Sequence, residues 1–294
     1  MGIPHTSTGP IGVFDSGYGG LTILKDLRRA IPDADFIYLG DNARAPYGAR
    51  SFDVVYEFTR QAVWTLFEAG CPLVILACNT ASAKALRTIQ QRDLPQWPDP
   101  TKRVLGVIRP TVEILGQTTA SQHVGLLATP GTIASESYLR EVENMFPSVT
   151  IHSHACPMWV PLVENRATDT PGAEYFIKDD LEALFSKNPH IDTLILGCTH
   201  YPLLLHQISK FVPPHVKIPL QGAIVANSLI DYLNRHPEMA RRISRSASTT
   251  YLTTENPERF GDLASYFMGE AIEASHVSLT DAPDNDKSYI RQQN

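Results

Sequence analysis

The sequence lacks any long apolar run or recognisable export signal. Its longest apolar stretch, residues 63–77, is interrupted by Glu68, Gly70 and Pro72, so we expect no segment that spans a membrane. Residues 1–10 have neither a basic start nor an apolar core, which argues against a secretory signal. They fit the loose N-myristoylation pattern, but such short patterns often arise by chance. We expect a cytoplasmic protein, with residues 1–10 disordered rather than packed near a cleft.

The sequence also has few cysteines and no excess of basic over acidic residues. The 294 residues include four cysteines, and without an export signal these are expected to be thiols rather than disulfides. Lysine and arginine number 25 against 31 acidic residues, a net charge of −6, which argues against a nucleic-acid partner. The length allows two domains or one large α/β unit with a sizeable core.

The motifs that would specify a cofactor or a metal are incomplete. The turn at residues 17–20 reads G-x-G-G, so Asp41, placed where a dinucleotide fold has its ribose-binding acid, supports nucleotide binding only weakly. No lysine has a context typical of a pyridoxal phosphate site. Two groups offer zinc-ligand side chains without C-x-x-C or H-x-x-x-H spacing: His152, His154 and Cys156, and Cys198 with His200. We expect no cofactor and no metal.

What is present is an alternation of short apolar runs with helical patterns. Leu21, Leu24 and Leu27 recur at helical spacing before Pro32, and a longer helix is predicted from about Phe52 to Ala69. Such alternation predicts α/β architecture with mostly parallel sheets. The predicted strands are residues 11–15, 36–40, 73–77, 104–108, 124–128, 149–152 and 194–196.

Two other stretches look irregular. Pro95, Pro98 and Pro100, together with Trp97, predict a linker or a crossing between domains. From about Asp281 the tail is polar enough that we expect disorder.

The most informative pattern is a repeat. Residues 73–80 resemble residues 193–200: each has an apolar strand, a small residue, a cysteine and two polar residues. This predicts two similar α/β halves, each with a cysteine at the carboxyl end of a strand. In open parallel sheets, ligands bind at that end.

The two cysteines, Cys78 and Cys198, each precede a predicted helix, whose free N–H groups and dipole favour a thiolate. A single cysteine in this context would more often be an inert core residue, whereas two in matching contexts favour a pair of bases. Cys71 and Cys156 are expected to pack in or near the core. A Cys–His hydrolase using Cys198 and His200 stays open, although no oxyanion-hole motif is visible.

Asp15 ends the first strand before the glycine-rich turn. Its carboxylate could orient or deprotonate a neighbour, and the backbone of that turn could approach an anionic ligand. The alternative is that Asp15 caps the following helix.

Taken together, these segments resemble the glutamate racemases of the aspartate/glutamate racemase superfamily. The likeness extends from about residue 11 to residue 269. The matching segments are residues 13–21, 46–48, 77–82, 127–132, 156–157, 160–164, 197–202, 253–255 and 267–269, with Phe260.

The resemblance implies two α/β domains related by a pseudo-twofold axis, with glutamate in the cleft between them. The first would comprise residues 1–101 plus 212–294 and carry Asp15 and Cys78. The second would comprise residues 102–211 and carry Glu164, Cys198 and His200. The resemblance further implies a homodimer that supplies D-glutamate for peptidoglycan, and hence for cell-wall biogenesis and cell shape.

It also implies roles for single residues. Cys78 and Cys198 would be acid/base catalysts on opposite faces of the α-carbon, with Asp15 supporting Cys78, and with His200 and Glu164 supporting Cys198. Two thiols can move the α-proton without a cofactor, provided that charge stabilisation adds to the ~10²–10⁴-fold of general acid–base catalysis. The implied substrate contacts are Asp15, Ser16, Pro46, Tyr47, Gly48, Asn79, Thr80, Thr132, Thr199 and His200.

Two stretches depart from the family's pattern. Thr111, in residues 108–111, stands where relatives often have a smaller residue, and residues 220–222 have Gln221 where many have an aspartate. Both leave the cleft shape and the hinging of the domains open. Two alternatives to a glutamate racemase also stay open: aspartate, hydantoin or maleate chemistry on the same fold, and a non-catalytic binding protein.

Overall fold

The computed structural model describes residues 8–282, and within this range all strand pairing is parallel and forms two sheets. The first sheet has six strands in the order β4-β3-β1-β2-β8-β9, and the second has three in the order β6-β5-β7. The strands are β1 (Ile11–Asp15), β2 (Phe36–Gly40), β3 (Leu73–Leu76), β4 (Arg103–Gly106), β5 (His123–Ala128), β6 (Thr150–Ala155), β7 (Thr193–Gly197), β8 (Thr249–Thr253) and β9 (Ala274–His276).

Helices connect these strands, as the alternating pattern predicted. They are α1 (Leu21–Ala30), α2 (Phe52–Glu68), α3 (Asn79–Lys84), α4 (Leu86–Thr88), α5 (Ile108–Glu113), α6 (Leu115–Thr118), α7 (Pro130–Ala134), α8 (Ser137–Met145), α9 (Trp159–Glu164), α10 (Pro171–Phe185), α11 (Leu205–Phe211), α12 (Gln221–Arg235), α13 (Pro237–Ala240) and α14 (Pro257–Met268). The α/β class with mostly parallel sheets is confirmed. No helix between residues 8 and 282 is long and apolar enough to cross a membrane.

We call residues 8–106 with 221–282 the first half and residues 107–220 the second half. Strand β4 pairs with β3 in the first sheet, although it begins just after the domain boundary predicted at residue 101. The domain division itself stays a prediction.

The central strand β1 shows why the first sheet forms. All five of its residues are buried, because helices cover both faces of a parallel sheet and the strand reads as an unbroken apolar run. Its register aligns Ile11 with Phe36 on β2 and with Leu73 on β3. This register brings the carboxyl ends of the three strands to one edge.

The proline-rich stretch is not the predicted linker. Trp97 is buried and packs edge-on against Trp64 and Phe67 of α2, whereas Pro95, Pro98 and Pro100 are exposed. Because β4, which follows the stretch, pairs with β3 in the first sheet, the stretch does not connect the two sheets.

The chain ends depart in part from the predicted disorder. Residues 1–7 and 283–294 lie outside the described range. Gly9 pairs with Arg242 and Ser244 through backbone hydrogen bonds of 2.9 Å each. At the other end, Ala282 is buried against the first half. Residues 8–10 and 281–282 therefore belong to the folded body.

Candidate active site

The predicted site residues meet where the carboxyl ends of the two sheets face each other. Asp15 and Ser16 follow β1, Cys78 follows β3, and Cys198 follows β7. Hydrogen bonds then cross between the halves at this edge, so the site is built at their junction. Strand ends and short helices position its side chains.

Cys78 forms the first half-site. It caps the amino end of α3, where its sulfur accepts a 3.4 Å hydrogen bond from the Ala81 N–H, and its sulfur lies 3.4 Å from Ser16 Oγ. Burial raises the pKa of the Cys78 thiol to about 12, the nearby Asp15 charge adds to the rise, and the two hydrogen bonds oppose it. Cys78 is therefore a thiol at neutral pH.

Asp15 reaches from the first half to the second. One carboxylate oxygen accepts from the Gly17 N–H at 2.8 Å, and the other accepts from Thr199 Oγ1 at 3.3 Å. Gly20 caps α1 without a side-chain hydrogen bond, so the predicted alternative of an Asp15 helix cap is wrong. Burial raises the pKa of Asp15, and the charge of His200 opposes that rise.

Cys198 forms the second half-site. Its sulfur lies 3.8 Å from His200 Nδ1, and His200 Nε2 lies 3.0 Å from Glu164 Oε1. Burial lowers the pKa of His200, but hydrogen bonds to Cys198 and Glu164, and the charges of both, raise it to about 10. The imidazole therefore carries a positive charge at neutral pH, between a sulfur and a carboxylate.

A glycine allows the two half-sites to approach. A Cβ at Gly19 would lie 2.3 Å from Thr199 Oγ1 and 2.5 Å from His200 Nδ1. The glycine-rich turn, which we expected to face an anionic ligand, makes room at this point for the other half of the protein.

Three threonine hydroxyls close the junction on the Cys78 side. Thr80 Oγ1 lies 3.0 Å from Thr129 Oγ1 and 3.2 Å from Thr132 Oγ1, and the latter two lie 3.1 Å apart. Thr129 also caps α7. Thr80 comes from the first half and the other two from the second, so the cluster spans the cleft.

The loop that follows β2 borders the same junction. The Tyr47 hydroxyl donates a short hydrogen bond to Asp41, whose carboxylate also accepts from Arg44 and Thr254. Because Asp41 is fully buried and both of its oxygens accept hydrogen bonds within the protein, its surroundings do not fit a ribose-binding acid. Gly48 accepts a 2.8 Å backbone hydrogen bond from the Gly131 N–H of the second half.

Two of the predicted substrate contacts differ in exposure. Pro46 is exposed on this loop. Asn79 is buried, and its side-chain amide pairs with that of Gln221. The contact of each with a substrate stays a prediction.

The histidines considered as zinc ligands have other partners. His152 Nε2 lies 3.2 Å from His123 Nδ1, and His154 Nε2 lies 2.8 Å from Asp180 Oδ1. Between residues 8 and 282, no three His, Cys, Asp or Glu side chains form a group that could hold a metal ion. Cys71 and Cys156 are buried thiols, as predicted.

Several residues of the site were not predicted. Thr129 and Gln221 touch predicted site residues directly, and the Trp159 indole N–H donates to Asp180 at 2.7 Å at the start of the helix that ends in Glu164. The Thr-Pro pair at residues 129–130 is a helix-start signal that could have identified Thr129. No local pattern predicts the hydrogen bonds of Gln221 or the Trp159–Asp180 pair.

Comparison with known proteins gives a consistent assignment. The Asp/Glu/Hydantoin racemase family pattern matches residues 19–225. A glutamate racemase from Roseobacter denitrificans is 42% identical over 275 residues, which cover 90% of this chain and 98% of that protein.

Solved structures agree with the sequence comparison. A glutamate racemase isoform from Bacillus anthracis superposes with a TM-score of 0.83 at 34% identity, covering 92% of this chain and 98% of that one. A Francisella tularensis glutamate racemase in complex with D-glutamate gives 0.79 at 30% identity, covering 93% and 97%. The arrangement of the two sheets therefore recurs in these proteins.

Proposed function

The chain belongs to the Asp/Glu/Hydantoin racemase family and is an isomerase, and we propose that it interconverts L- and D-glutamate through Cys78 and Cys198 without a cofactor. The observation that carries the proposal is the meeting of two cysteine half-sites at one junction. Each sulfur follows a strand of a different sheet, and each has its own ionisable neighbour.

In the proposed reaction, one sulfur removes the α-proton and the other sulfur delivers a proton to the opposite face of the α-carbon. A thiolate on one face of the α-carbon removes the α-proton, so an S–H bond forms as the C–H bond breaks. The thiol on the other face donates its proton to the carbanion, so the configuration inverts and the second sulfur becomes the thiolate. The sulfurs end with exchanged protonation states, and reversal returns the starting enantiomer.

The charges around the two sulfurs support a defined starting state. Burial and the Asp15 carboxylate keep Cys78 protonated, whereas Cys198 has the imidazole of His200 beside it. Cys78 would therefore begin as the acid for one enantiomer, with Cys198 as its partner.

Charge stabilisation must also come from the surroundings of the α-carbon, since general acid–base catalysis alone is usually worth only ~10²–10⁴-fold. Cys78 and Cys198 are only 6% and 7% exposed, so a substrate held between them would be largely shielded from water. In such a site, the hydroxyls of Ser16, Thr80 and Thr199 would hold the substrate's charged groups more strongly than in solvent.

The deciding experiment uses the reduced, full-length protein in D₂O with no added cofactor. Either enantiomer of glutamate should become α-deuterated and should yield both enantiomers, as followed by NMR and chiral chromatography. Absence of exchange in correctly folded protein would reject the proposal. A parallel panel of aspartate, hydantoins and maleate tests the related chemistries.

We further propose that the protein supplies D-glutamate for peptidoglycan in the cytoplasm and acts as a homodimer. Depletion of the protein from its host should produce cell-shape defects that added D-glutamate reverses. Sedimentation of the purified protein tests the dimer.

A further inference from the structure

Gln221, the first residue of α12, is buried and joins the two halves beside the Cys78 half-site. Its amide nitrogen lies 2.9 Å from Thr111 Oγ1, 3.0 Å from the Tyr138 hydroxyl and 3.2 Å from Asn79 Oδ1. Its amide oxygen accepts from Asn79 Nδ2 at 2.7 Å. Thr111 and Tyr138 belong to the second half and Asn79 to the first.

The hydrogen bonds of Gln221 hold the side chain of Asn79, the residue next to Cys78. Asn79 is the first residue of α3, directly after Cys78, and its Oδ1 also accepts from the Tyr138 hydroxyl at 2.8 Å. Four side chains, Asn79, Thr111, Tyr138 and Gln221, thus form one buried hydrogen-bonded cluster, which we call the amide cluster. Buried networks of this kind fix geometry when every member is satisfied.

The amide cluster also joins two stretches that are distant in sequence, residues 108–111 and 220–222. Thr111 lies in one of them and Gln221 in the other, and their side chains are hydrogen-bonded to each other. The two stretches therefore form one local feature.

We propose that Gln221 is a positioning residue for Cys78, and that its neutral amide couples the placement of the two halves to the placement of this sulfur. Gln221 does not act on the substrate itself. It holds Asn79, and Asn79 holds the first turn of α3, on which Cys78 is the cap. The kinetic part of this proposal rests on the proposed function, whereas its structural part does not.

The chemistry of the amide cluster calls for an amide rather than a carboxylate. The Thr111 hydroxyl donates to the Val107 carbonyl at 2.7 Å, and the Tyr138 hydroxyl donates to Asn79 Oδ1. Both hydroxyls therefore present lone pairs to the Gln221 nitrogen. A carboxylate can only accept hydrogen bonds, so a glutamate would force both hydroxyls to turn and abandon their present acceptors.

The first test needs no substrate. Iodoacetamide modification of Cys78 and Cys198 is followed by peptide mass spectrometry in Gln221→Glu, Gln221→Leu and a control, Gln207→Leu. Gln207 is a buried glutamine on α11 whose amide contacts Asp169 and Lys210. Modification of Cys78 should be faster by about tenfold in both Gln221 variants, because losing one hydrogen bond shifts local opening by that order.

The rate at Cys198, and both rates in the control, should stay unchanged. Because a lower pH slows alkylation of every thiol, each rate is compared with the wild-type rate at the same pH. On lowering the pH, the excess rate at Cys78 should disappear in Gln221→Glu but persist in Gln221→Leu, because a protonated carboxyl regains a donor. Equal acceleration at both cysteines, or no change at Cys78, would overturn the proposal.

The second test uses α-proton exchange of each glutamate enantiomer in D₂O. One enantiomer, the one whose proton faces Cys78, should lose exchange by up to about 10²-fold in the Gln221 variants, because misplacement by about 1 Å can cost that much. The other enantiomer should lose far less. An equal loss for both would indicate general destabilisation and contradict the proposal.

If the wild-type protein exchanges neither enantiomer, the proposed function fails, and the modification rates still decide the structural claim.

If the Gln221 variants do not fold, Tyr138→Phe replaces them. It removes the hydroxyl that donates to Asn79, so it should accelerate modification of Cys78 alone, to a smaller degree. An unchanged Cys78 rate in Tyr138→Phe would count against the amide cluster.

Discussion

The two cysteine half-sites share their placement but have opposite electrostatic surroundings. Both Cys78 and Cys198 lie just past the carboxyl end of a buried parallel strand. Cys78 has a buried carboxylate, Asp15, as its charged neighbour, whereas Cys198 has the imidazole of His200, backed by Glu164. The repeat in the sequence makes the halves look equivalent, and their ionisable neighbours show that they are not.

This difference shows how a symmetric reaction can start from an asymmetric protein. Two-base proton transfer needs one thiolate and one thiol at any moment. The anion beside Cys78 raises the pKa of that thiol, whereas Cys198 has an imidazole as its neighbour. The comparison predicts unequal behaviour of the two half-sites when either is altered.

The largest effect should come from replacing the sulfurs themselves. Cys78→Ser and Cys198→Ser should each lower racemisation by roughly 10²- to 10⁴-fold, because an alcohol is a far poorer acid/base at neutral pH than a thiol. Circular dichroism of each enantiomer over time gives the rates. Cys71→Ser serves as the matched control and should stay close to wild type, and comparable losses in all three variants would refute the two-base pair.

A change at Gly19 should be nearly as severe without replacing an ionisable group. Gly19→Ala places a Cβ within 2.5 Å of Thr199 and His200 atoms, so the half-sites must move apart. We expect kcat to fall by about 10²-fold, because catalysis depends on alignment at the ångström scale. The matched control is Gly172→Ala, where the added Cβ meets only Thr170 Oγ1 at 3.8 Å, and equal activity of both variants would show that the close approach is not needed.

Removing Glu164 should affect the second half-site alone. Glu164→Gln removes a charge that supports the imidazolium, so the pKa of His200 should fall and the alkaline limb of the pH–rate profile should move to lower pH. Loss of a hydrogen bond to a charged group costs about 1.5–3 kcal/mol, or roughly ten- to a hundredfold in kcat/KM. If the alkaline limb of the pH–rate profile does not move, the ionisation of His200 does not control catalysis.

The same group links stability to pH. The pKa of His200 is raised from 6.5 to about 10 in the folded protein, so its stabilising contribution is complete below pH 6.5 and is lost as the pH rises towards 10. Urea unfolding at several pH values should show the free energy of unfolding falling across this window. The fall should be shallower in Glu164→Gln.

The smallest effect should come from the first half-site's carboxylate. Asp15→Asn removes a charge that raises the pKa of Cys78, so that pKa should fall. Alkylation of Cys78 at pH 8 should be several-fold faster, with Cys198 as the internal reference. A slower reaction at Cys78 would contradict the expectation that the Asp15 charge raises the pKa of Cys78.

Much of the fold could be predicted because apolar runs and helical spacing are local properties. The bounds of β1 and β2 match the prediction, since both strands are short, buried and followed by glycine-rich or polar turns. The predicted strand 104–108 extends past the end of β4 at Gly106, because Val107 caps α5 and Ile108 begins it, and both are as apolar there as they would be in a strand. Strand β6 extends to Ala155, beyond the predicted end, because its polar histidines hid the pattern.

The paired cysteines could be predicted because the motif around them repeats within one chain. The contacts that join the halves could not. Gln221 and Asn79 are 142 residues apart in sequence, and Thr199 and Asp15 are 184 apart. No periodicity records which distant side chains share a hydrogen bond, so the amide cluster and the Trp159–Asp180 pair emerge only from the folded chain.

The strand order carries a consequence for how the protein is made. Strand β2 pairs with β8. Thr253, the last residue of β8, contacts Asn42, which lies just after β2 and 211 residues away in sequence. At 5–20 residues per second, a ribosome needs roughly 10–40 s to deliver the missing neighbour. Meanwhile β2 is an open edge that can recruit other chains, so the nascent protein should depend on chaperones until β8, in the last sixth of the chain, emerges.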